Sequence, residues 1–396
     1  MPMSFQTLNL NGLSKIISIV IAAVFISFSS FAIQEEHNDH EDHEHATENG
    51  ATHEEKAEKF NASEMIMHHV SDAHEIHFMG EGDNSIAIYL PIIVNTNTGW
   101  RFFSSSNFYH NSVEVDNHGE IIKFHKYEDL ILFHEHIYYA NEDGGLTIGE
   151  GHVVENEAPF DLSITKNVAG IFLSIILLYL ILAAVTKGYK KNAGHAPKGI
   201  QSFMEPLILF VRDDVVLPSF GGDKERAAKF TPYLLTTFFF IWLSNLLGLI
   251  PFIGGFNITG TMAITLVLAG LVFIITTVRG NKQYWSHILW PAGVPGFVKV
   301  ILVPIEIASI FIKPTVLMVR LTANIMAGHI IILAFVSLIL IFGAQSAAVG
   351  YGVGIGSTIF MVFMYFIELL VAFLQAYVFT LLASIYFGDA TQPAHH

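Results

Sequence analysis

The chain has 396 residues, a formal net charge of −15, no Cys and a mean hydropathy of +0.50. Soluble globular proteins rarely combine so apolar an average with so large a net charge, which excludes an ordinary soluble protein of two or three domains. The absence of Cys excludes a disulfide framework, thiol catalysis and Cys-ligated metals. Since no basic stripe is present to neutralise phosphates, nucleic acid is excluded as a partner.

The charge is divided unevenly along the chain. Residues 33–166 hold 27 of the 35 Asp and Glu residues and 15 of the 20 His residues, whereas residues 167–396 hold only eight acids. The sequence therefore predicts an acidic, hydrated module followed by a membrane domain.

Residues 1–32 have the features of a secretory signal peptide. Lys15 precedes an apolar run over residues 16–32, and Ser30-Phe31-Ala32 has the small-x-small pattern of a cleavage site. We expect the segment to be cleaved. The alternative is an uncleaved membrane anchor, because the apolar run is almost long enough to span a bilayer.

Residues 33–75 are polar, acidic and rich in His. Such a composition buries too little apolar surface to fold, so it predicts a disordered linker. A tract of His, Asp and Glu can also collect metal ions. Because the tract has neither Cys nor a fixed ligand spacing, a solvated spacer is favoured over a specific metal site.

Residues 76–160 change to short β-branched and aromatic runs separated by Asn, Thr, Asp and Gly. This alternation is typical of strands and turns, and it predicts a small β-rich domain outside the cytoplasm. The predicted strands are Ser85–Val94, Trp100–Phe103, Glu120–His125 and His134–Tyr139.

Residues 165–388 contain the long apolar runs of a membrane domain with five transmembrane helices. The last two runs exceed the roughly 20 residues that a perpendicular helix needs, so they predict long, tilted, antiparallel helices. A stretch of mixed apolar and charged residues, Gly199–Leu217, predicts an interfacial helix. The five predicted spans lie within Val168–Val185, Phe238–Phe252, Ile264–Val278, Val298–Phe342 and Ile355–Phe387.

The distribution of Lys and Arg predicts how the membrane domain is oriented. The loops after the first and third spans carry eight and three bases, whereas loops 252–262 and 343–356 carry none. Basic loops face the cytoplasm, so the acidic module is predicted to be periplasmic and the tail, residues 389–396, cytoplasmic. The predicted location is a bacterial inner membrane.

Few ionisable or amide side chains lie within the last two apolar runs. Arg320 sits in mid-run and stays protonated, so it acts as a fixed cation and carries no proton. If Gln375 lies at the depth of Arg320, then His329 and Glu368 fall at matching depths on the outer side, and Glu306 lies about 21 Å from Arg320 toward the cytoplasm at 1.5 Å per residue. This layout predicts two offset half-channels, although each group taken alone also fits a structural ion pair or hydrogen bond. The candidate residues are Arg320, Asn324, His329, Glu368, Gln375 and Glu306.

Several segments resemble the a subunit of rotary F-type ATP synthases. Met318–Ile330 (MVRLTANIMAGHI) and Glu368–Phe379 (ELLVAFLQAYVF) are similar to the motifs of its last two helices. Phe239–Pro251 and Ala196–Val211 are similar to its third helix and its interfacial segment. The resemblance covers about residues 165–388.

The resemblance implies a role for each candidate residue. Arg320 is the essential arginine facing a carboxylate of the rotor c-ring, with Asn324 and Gln375 as polar neighbours. The other three acidic or basic positions are assigned to the half-channels, His329 and Glu368 to the outer one and Glu306 to the inner one.

The implied protein is a non-catalytic, proton-translocating subunit without a cofactor or a metal site. Its implied partners are the c-ring, b-type peripheral stalk subunits, the catalytic head of the synthase, membrane lipid and protons. Two alternatives stay open: the same rotary role with Na⁺ as the coupling ion, and a secondary cation transporter whose His-rich module gathers metal. A transporter would favour two related halves, and no internal repeat is found.

Overall fold

A computed structural model describes residues 62, 66, 70–79, 86–117, 120–141, 143–149, 154–250, 255–291 and 293–393. The predicted signal peptide and almost all of the predicted acidic linker lie outside the described residues, so both stay predictions.

In the part of the N-terminal module that the structure describes, the strands form three small antiparallel sheets, as the strand-and-turn pattern predicts. One pairs two strands, the second has three strands in the order β4-β3-β9, and the third is a four-stranded meander in the order β5-β6-β7-β8. The strands are β1 Glu75–Met79, β2 Ile86–Tyr89, β3 Pro91–Thr96, β4 Gly99–Ser104, β5 Ser112–Asn117, β6 Glu120–Tyr127, β7 Leu130–Phe133, β8 His136–Tyr139 and β9 Phe160–Asp161, with a single helical turn, α1 Ser106–Tyr109, after β4.

The run predicted as one strand, Ser85–Val94, is divided between two sheets, so that prediction is wrong. Pro91 has no N–H to donate at the point of division. The N–H of Leu90 leaves the ladder and donates to the His74 carbonyl at 3.2 Å and to Ser105 Oγ at 3.1 Å. As a result β2 pairs with β1, while β3 pairs with β4 and β9.

The ordered module also begins earlier than the predicted boundary at residue 76. Ala73, His74 and Glu75 are buried, and Asp72 accepts a 2.8 Å hydrogen bond from the N–H of Asn167. Hydrophobic periodicity did not indicate this earlier start, because short polar segments have no such periodicity. Residues 72–75 therefore belong to the folded module.

Within the described residues, the membrane domain contains five helices that are long and apolar enough to cross a membrane, as the sequence predicts. Their bounds extend past the predicted apolar runs because the polar first and last turns remain helical. They are α2 Lys166–Lys191, α4 Lys224–Leu249, α5 Met262–Arg279, α7 Gly296–Gln345 and α8 Ala347–Ala390.

Helices α7 and α8 form a long antiparallel hairpin. Their 50 and 44 residues correspond to about 75 and 66 Å of helix, more than twice the roughly 30 Å of a hydrocarbon core. The hairpin turns at Ser346, whose Oγ accepts a 3.3 Å hydrogen bond from the N–H of Val349. Such lengths need strong tilt or extension beyond the bilayer, as the sequence predicts.

Two shorter helices connect the spans. The predicted interfacial segment is helical: α3 Ile200–Leu209 continues through a π-helical stretch, Phe210–Val216, and a last helical turn, Leu217–Ser219. Its buried residues recur every three to four positions, so one face packs on the domain and the other stays exposed. The second connector is α6 Lys282–Leu289.

Each part has its own apolar core. In the module, Ile92 and Val94 alternate with exposed positions of β3 and pack with Phe108 and Leu130. In the membrane domain, α8 packs on α4, α5 and α7 around fully buried phenylalanines. This packing holds α7 and α8 at fixed rotations, which determines which of their polar residues face inward. The buried phenylalanines are Phe220, Phe238, Phe239, Phe379 and Phe387.

Candidate ion pathway in the membrane domain

Arg320 lies at the midpoint of α7 on an exposed face. Asn324 follows one turn later and is also exposed, so the two polar side chains share that face. Apolar residues surround them, including Val316 and Val319, each 45% exposed. Within the described part of the chain, no carboxylate pairs with Arg320. A permanent cation is therefore presented outward from an apolar surface.

His329 and Glu368 lie together between α7 and α8. His329 Nδ1 is 3.8 Å from Glu368 Oε1, and their side chains are only 19% and 6% exposed. The contact agrees with the matching depths that helix geometry predicts for the two residues. Neither carboxylate oxygen of Glu368 hydrogen-bonds to any other described residue. At this distance, a single water molecule can form hydrogen bonds to both the buried acid and the imidazole.

Two glycines make room for this pair. A Cβ at Gly328 would lie 2.8 Å from Glu368 Oε1. On α4, a Cβ at Gly248 would lie 2.5 Å from the Phe256 carbonyl oxygen and 3.4 Å from His329 Nε2. Both glycines lie within the helix motifs of the sequence, but residue spacing alone does not reveal a close approach between helices.

We expect Gly328→Ala to lower coupled ion flux at least about threefold without loss of assembled complex. The added methyl group must displace the Glu368 carboxylate, and a displacement of about 1 Å at a reacting group lowers the reaction rate. The measurement is ATP-driven pumping per assembled complex. Gly343→Ala, on the same helix, is the matched control, because a Cβ at position 343 would have no neighbour within 4 Å. Equal pumping by the two variants would contradict the expectation.

Gln375 and Glu306 do not join this pair. Gln375 is buried on α8, two turns from Glu368, and Glu306 is half-buried on the first third of α7. In the described residues, neither Asn324 nor Gln375 hydrogen-bonds to Arg320. The structure thus brings His329 together with Glu368 and places Arg320 and Asn324 on one exposed face, whereas Gln375 and Glu306 join neither pair.

A buried polar bridge near the pair was missed by the sequence analysis. Asn245 on α4 is 4% exposed, and its Nδ2 donates to the Ala372 carbonyl of α8 at 3.2 Å. Its Oδ1 accepts a hydrogen bond from the hydroxyl of Thr259. The bridge fixes α4 against α8 close to Glu368, since buried amides are held by the partners that satisfy them.

Comparison with protein families identifies the membrane domain. The family described as ATP synthase A chain matches residues 169–388, more than half of the chain. A second family, described as a domain of unknown function (DUF8433), matches residues 65–162. The two matches divide the chain at the junction between β9 and α2.

Individual relatives agree with the family match. The chain is 46% identical over 272 residues to ATP synthase subunit a 2 of Chlorobaculum tepidum, covering 66% of this chain and 73% of the relative. It is 33% identical over 336 residues to ATP synthase subunit a of Chlorobium phaeobacteroides, covering 78% of this chain and 93% of the relative. The subunit a of Myxococcus xanthus is 36% identical over 242 residues, covering 60% and 75%. With its five spanning helices, this multi-pass membrane protein belongs to the ATP synthase subunit a family.

Proposed function

We propose that this chain couples transmembrane proton flow to rotation through two offset half-channels separated by Arg320. A rotor carboxylate crosses lipid only in its protonated form, because a bare charge there is costly. Beside Arg320 the ionised form is stabilised, so the carboxylate releases its proton to one half-channel and is reloaded from the other. Protons then cross only when the rotor turns.

The observation that carries this proposal is the outward-facing Arg320. A guanidinium without a carboxylate partner is unfavourable on an apolar membrane surface. The described chain supplies none, so the partner has to come from a neighbouring subunit that covers this face. A ring of small proteolipid subunits carrying acidic residues meets that requirement.

The His329–Glu368 pair supports the outer half-channel. Both groups titrate, both are largely buried, and they lie 3.8 Å apart. Glu306 is assigned to the inner half-channel, about 21 Å along α7 from Arg320. The fixed cation between the two sets opposes direct proton leakage, because a proton approaching it is repelled.

The chain itself makes and breaks no covalent bond in this scheme. We assign it to the stator, beside the c-ring, in contact with b-type stalk subunits and below the catalytic head. Its basic loops are assigned to the cytoplasm, and the β-rich module, residues 76–160, to the periplasmic face of a bacterial inner membrane. A membrane potential would then supply about 2.3 kcal/mol per proton per 100 mV.

One experiment tests both the function and the coupling ion. Inverted vesicles carrying the complex are given ATP, and acidification is measured with and without added Na⁺. We expect acidification that is independent of Na⁺ and abolished by a protonophore. ATP-driven Na⁺ uptake into the vesicles that a protonophore stimulates, in place of acidification, would assign the coupling ion to Na⁺. The absence of a co-purifying proteolipid ring and catalytic head would contradict the rotary role.

The acidic tract is tested by deleting residues 37–58. We expect assembled complex, normal ATP synthesis and an unchanged dependence on external pH, because a solvated spacer is favoured for this tract. The alternative is proton gathering, since a negative surface raises the local cation concentration within a Debye length of about 8 Å. A profile displaced toward acidic external pH in the assembled variant would support that alternative.

A further inference from the structure

The module is joined to the first spanning helix by a buried polar contact. Asp72 Oδ2 accepts a 2.8 Å hydrogen bond from the hydroxyl of Thr165, and its Oδ1 accepts one of the same length from the N–H of Asn167. The N–H of Lys166 donates to the carbonyl of Ala73 at 2.8 Å. The start of α2 is therefore capped by the module.

His74 lies buried at the centre of this contact, 2% exposed. Its Nδ1 is 3.7 Å from Glu135 Oε2 and its Nε2 is 3.7 Å from Asp161 Oδ2. Neither ring nitrogen hydrogen-bonds to any described residue. Burial opposes the charge on His74, but the carboxylates of Asp161 and Glu135 outweigh burial and raise its pKa to about 9. His74 is thus a cation at neutral pH.

Glu135 is held in place by unusual backbone geometry. It occupies the turn between β7 and β8 with φ of 65°, the left-handed region that non-glycine residues seldom adopt. Its Oε2 accepts hydrogen bonds from the N–H of His74 at 3.2 Å and from the hydroxyl of Tyr109 at 3.0 Å. The strained turn therefore directs a carboxylate into the contact.

Glu75 and Lys166 complete the set, at 7% and 5% exposed. The groups that face Glu75 are Glu135, His110 and Lys166, with the Tyr109 hydroxyl nearby. Burial, aided by the charge of Glu135, raises the pKa of Glu75 to about 7 against the opposing effects of the two basic groups.

These residues form what we call the junction cluster: Asp72, His74, Glu75, Glu135, Asp161 and Lys166. Four carboxyl groups face two basic groups in it, so full ionisation would leave a buried excess of negative charge. Because such an excess is unfavourable away from water, the cluster retains a proton near neutral pH. Burial also raises the pKa of Asp72, against the hydrogen bonds from Asn167 and Thr165, which favour its ionised form.

The junction cluster is connected to the outer pair. Asn167, which binds Asp72, accepts a 3.1 Å hydrogen bond from the N–H of Asn257. The preceding carbonyl, that of Phe256, lies against Gly248 beside His329. Lys166 acts electrostatically on the carboxylates of the cluster and also on His329. One hydrogen bond, between Asn257 and Asn167, and the close approach of the Phe256 carbonyl to Gly248 therefore lead from the module toward the His329–Glu368 pair.

We propose that the junction cluster is the outer vestibule of the proton path, in which Glu75 holds an exchangeable proton and passes it toward His329 and Glu368. This inference rests on the proposed outer half-channel. It assigns to the module a role in holding and delivering protons that the rotary mechanism itself does not require. The rate of ATP synthesis then depends on the protonated fraction of Glu75.

The test is ATP synthesis by the complete complex in proteoliposomes, with the pH on the module side varied from 6 to 8. The protonated fraction of a group with a pKa of about 7 falls about tenfold across that interval. Each rate is divided by that of Glu157→Gln, which makes the same change at an exposed acid of the module. We expect the ratio for Glu75→Gln to be lowest at pH 6 and to approach one at pH 8, and Glu75→Asp to restore a ratio near one.

Purely structural damage would lower the ratio equally at every pH. A ratio for assembled Glu75→Gln that does not change with pH would overturn the proposal. If that variant fails to assemble, Glu135→Gln tests the proposal instead. Removing the charge of Glu135 should lower the midpoint of the profile of ATP synthesis against pH relative to the control. An unchanged midpoint would overturn the proposal. Glu368→Leu separates the two inferences, because normal synthesis by that variant would instead overturn the outer half-channel.

Discussion

Replacing Arg320 with Gln is expected to abolish ATP-driven proton pumping in inverted vesicles, and Arg320→Ala should do the same. A cation beside a carboxyl group favours its ionised form by about 1.4–4 kcal/mol, equivalent to one to three pKa units. Without that cation, the rotor carboxylate is expected to lose its proton about 10- to 1000-fold less readily. The measurement is the initial rate of acidification per assembled complex.

Arg320→Lys is expected to restore only part of the activity. A Lys ammonium is compact and loses its proton when buried, whereas a guanidinium stays charged and spreads its charge over a plane. Arg279→Gln serves as the matched control, because Arg279 is exposed at the last turn of α5. Pumping by Arg320→Gln at the rate of this control would refute the arginine barrier and, with it, the separation of the half-channels.

Replacing Glu368 with Leu should cut coupled proton flux at least about tenfold. The carboxylate is 6% exposed beside His329, so no other described acid is placed to take over its proton. Groups that lie this close titrate together, and loss of one changes the proton affinity of the other. Flux is measured as ATP-driven pumping, with Glu225→Leu, at an exposed acid in the first turn of α4, as the control.

The exchanged pair distinguishes pairing from two independent roles. With Glu at position 329 and His at position 368, the two side chains still face each other between α7 and α8, so part of the flux should return. The double Leu variant gives the baseline. An exchanged pair as inactive as that baseline would show that the two groups do not act together.

The sequence predicts the membrane domain better than the module because the two rely on different physical signals. Each spanning helix needs about 20 apolar residues, and this signal is local and strong, so all five helices were predicted. Strand pairing depends on partners far away in the chain. Pro91 marks the point where Ser85–Val94 divides, but the sheets to which its two halves belong depend on distant partners such as His74 and Ser105.

The same distinction holds for the candidate site. With Gln375 taken to lie at the depth of Arg320, helical spacing along α7 and α8 predicted that His329 and Glu368 share a depth, since each residue adds about 1.5 Å along its helix. Spacing could not predict that Gly248 and Gly328 open the space they occupy, because that depends on how three helices approach one another.

The amino-acid sequence by itself predicted an acidic module and the five spans that the described residues contain, and it singled out Arg320 as a fixed cation within an apolar run. Hydrophobicity and permanent charge belong to residues wherever the chain folds. Only the tertiary structure decided that Arg320 faces outward without a carboxylate partner in the described chain, and that Asp72, His74 and Glu75 meet Glu135, Asp161 and Lys166 above the first spanning helix. The hydrogen bond from Asn167 to Asp72 joins residues 95 positions apart, and such a contact exists only once the module has packed against the membrane domain.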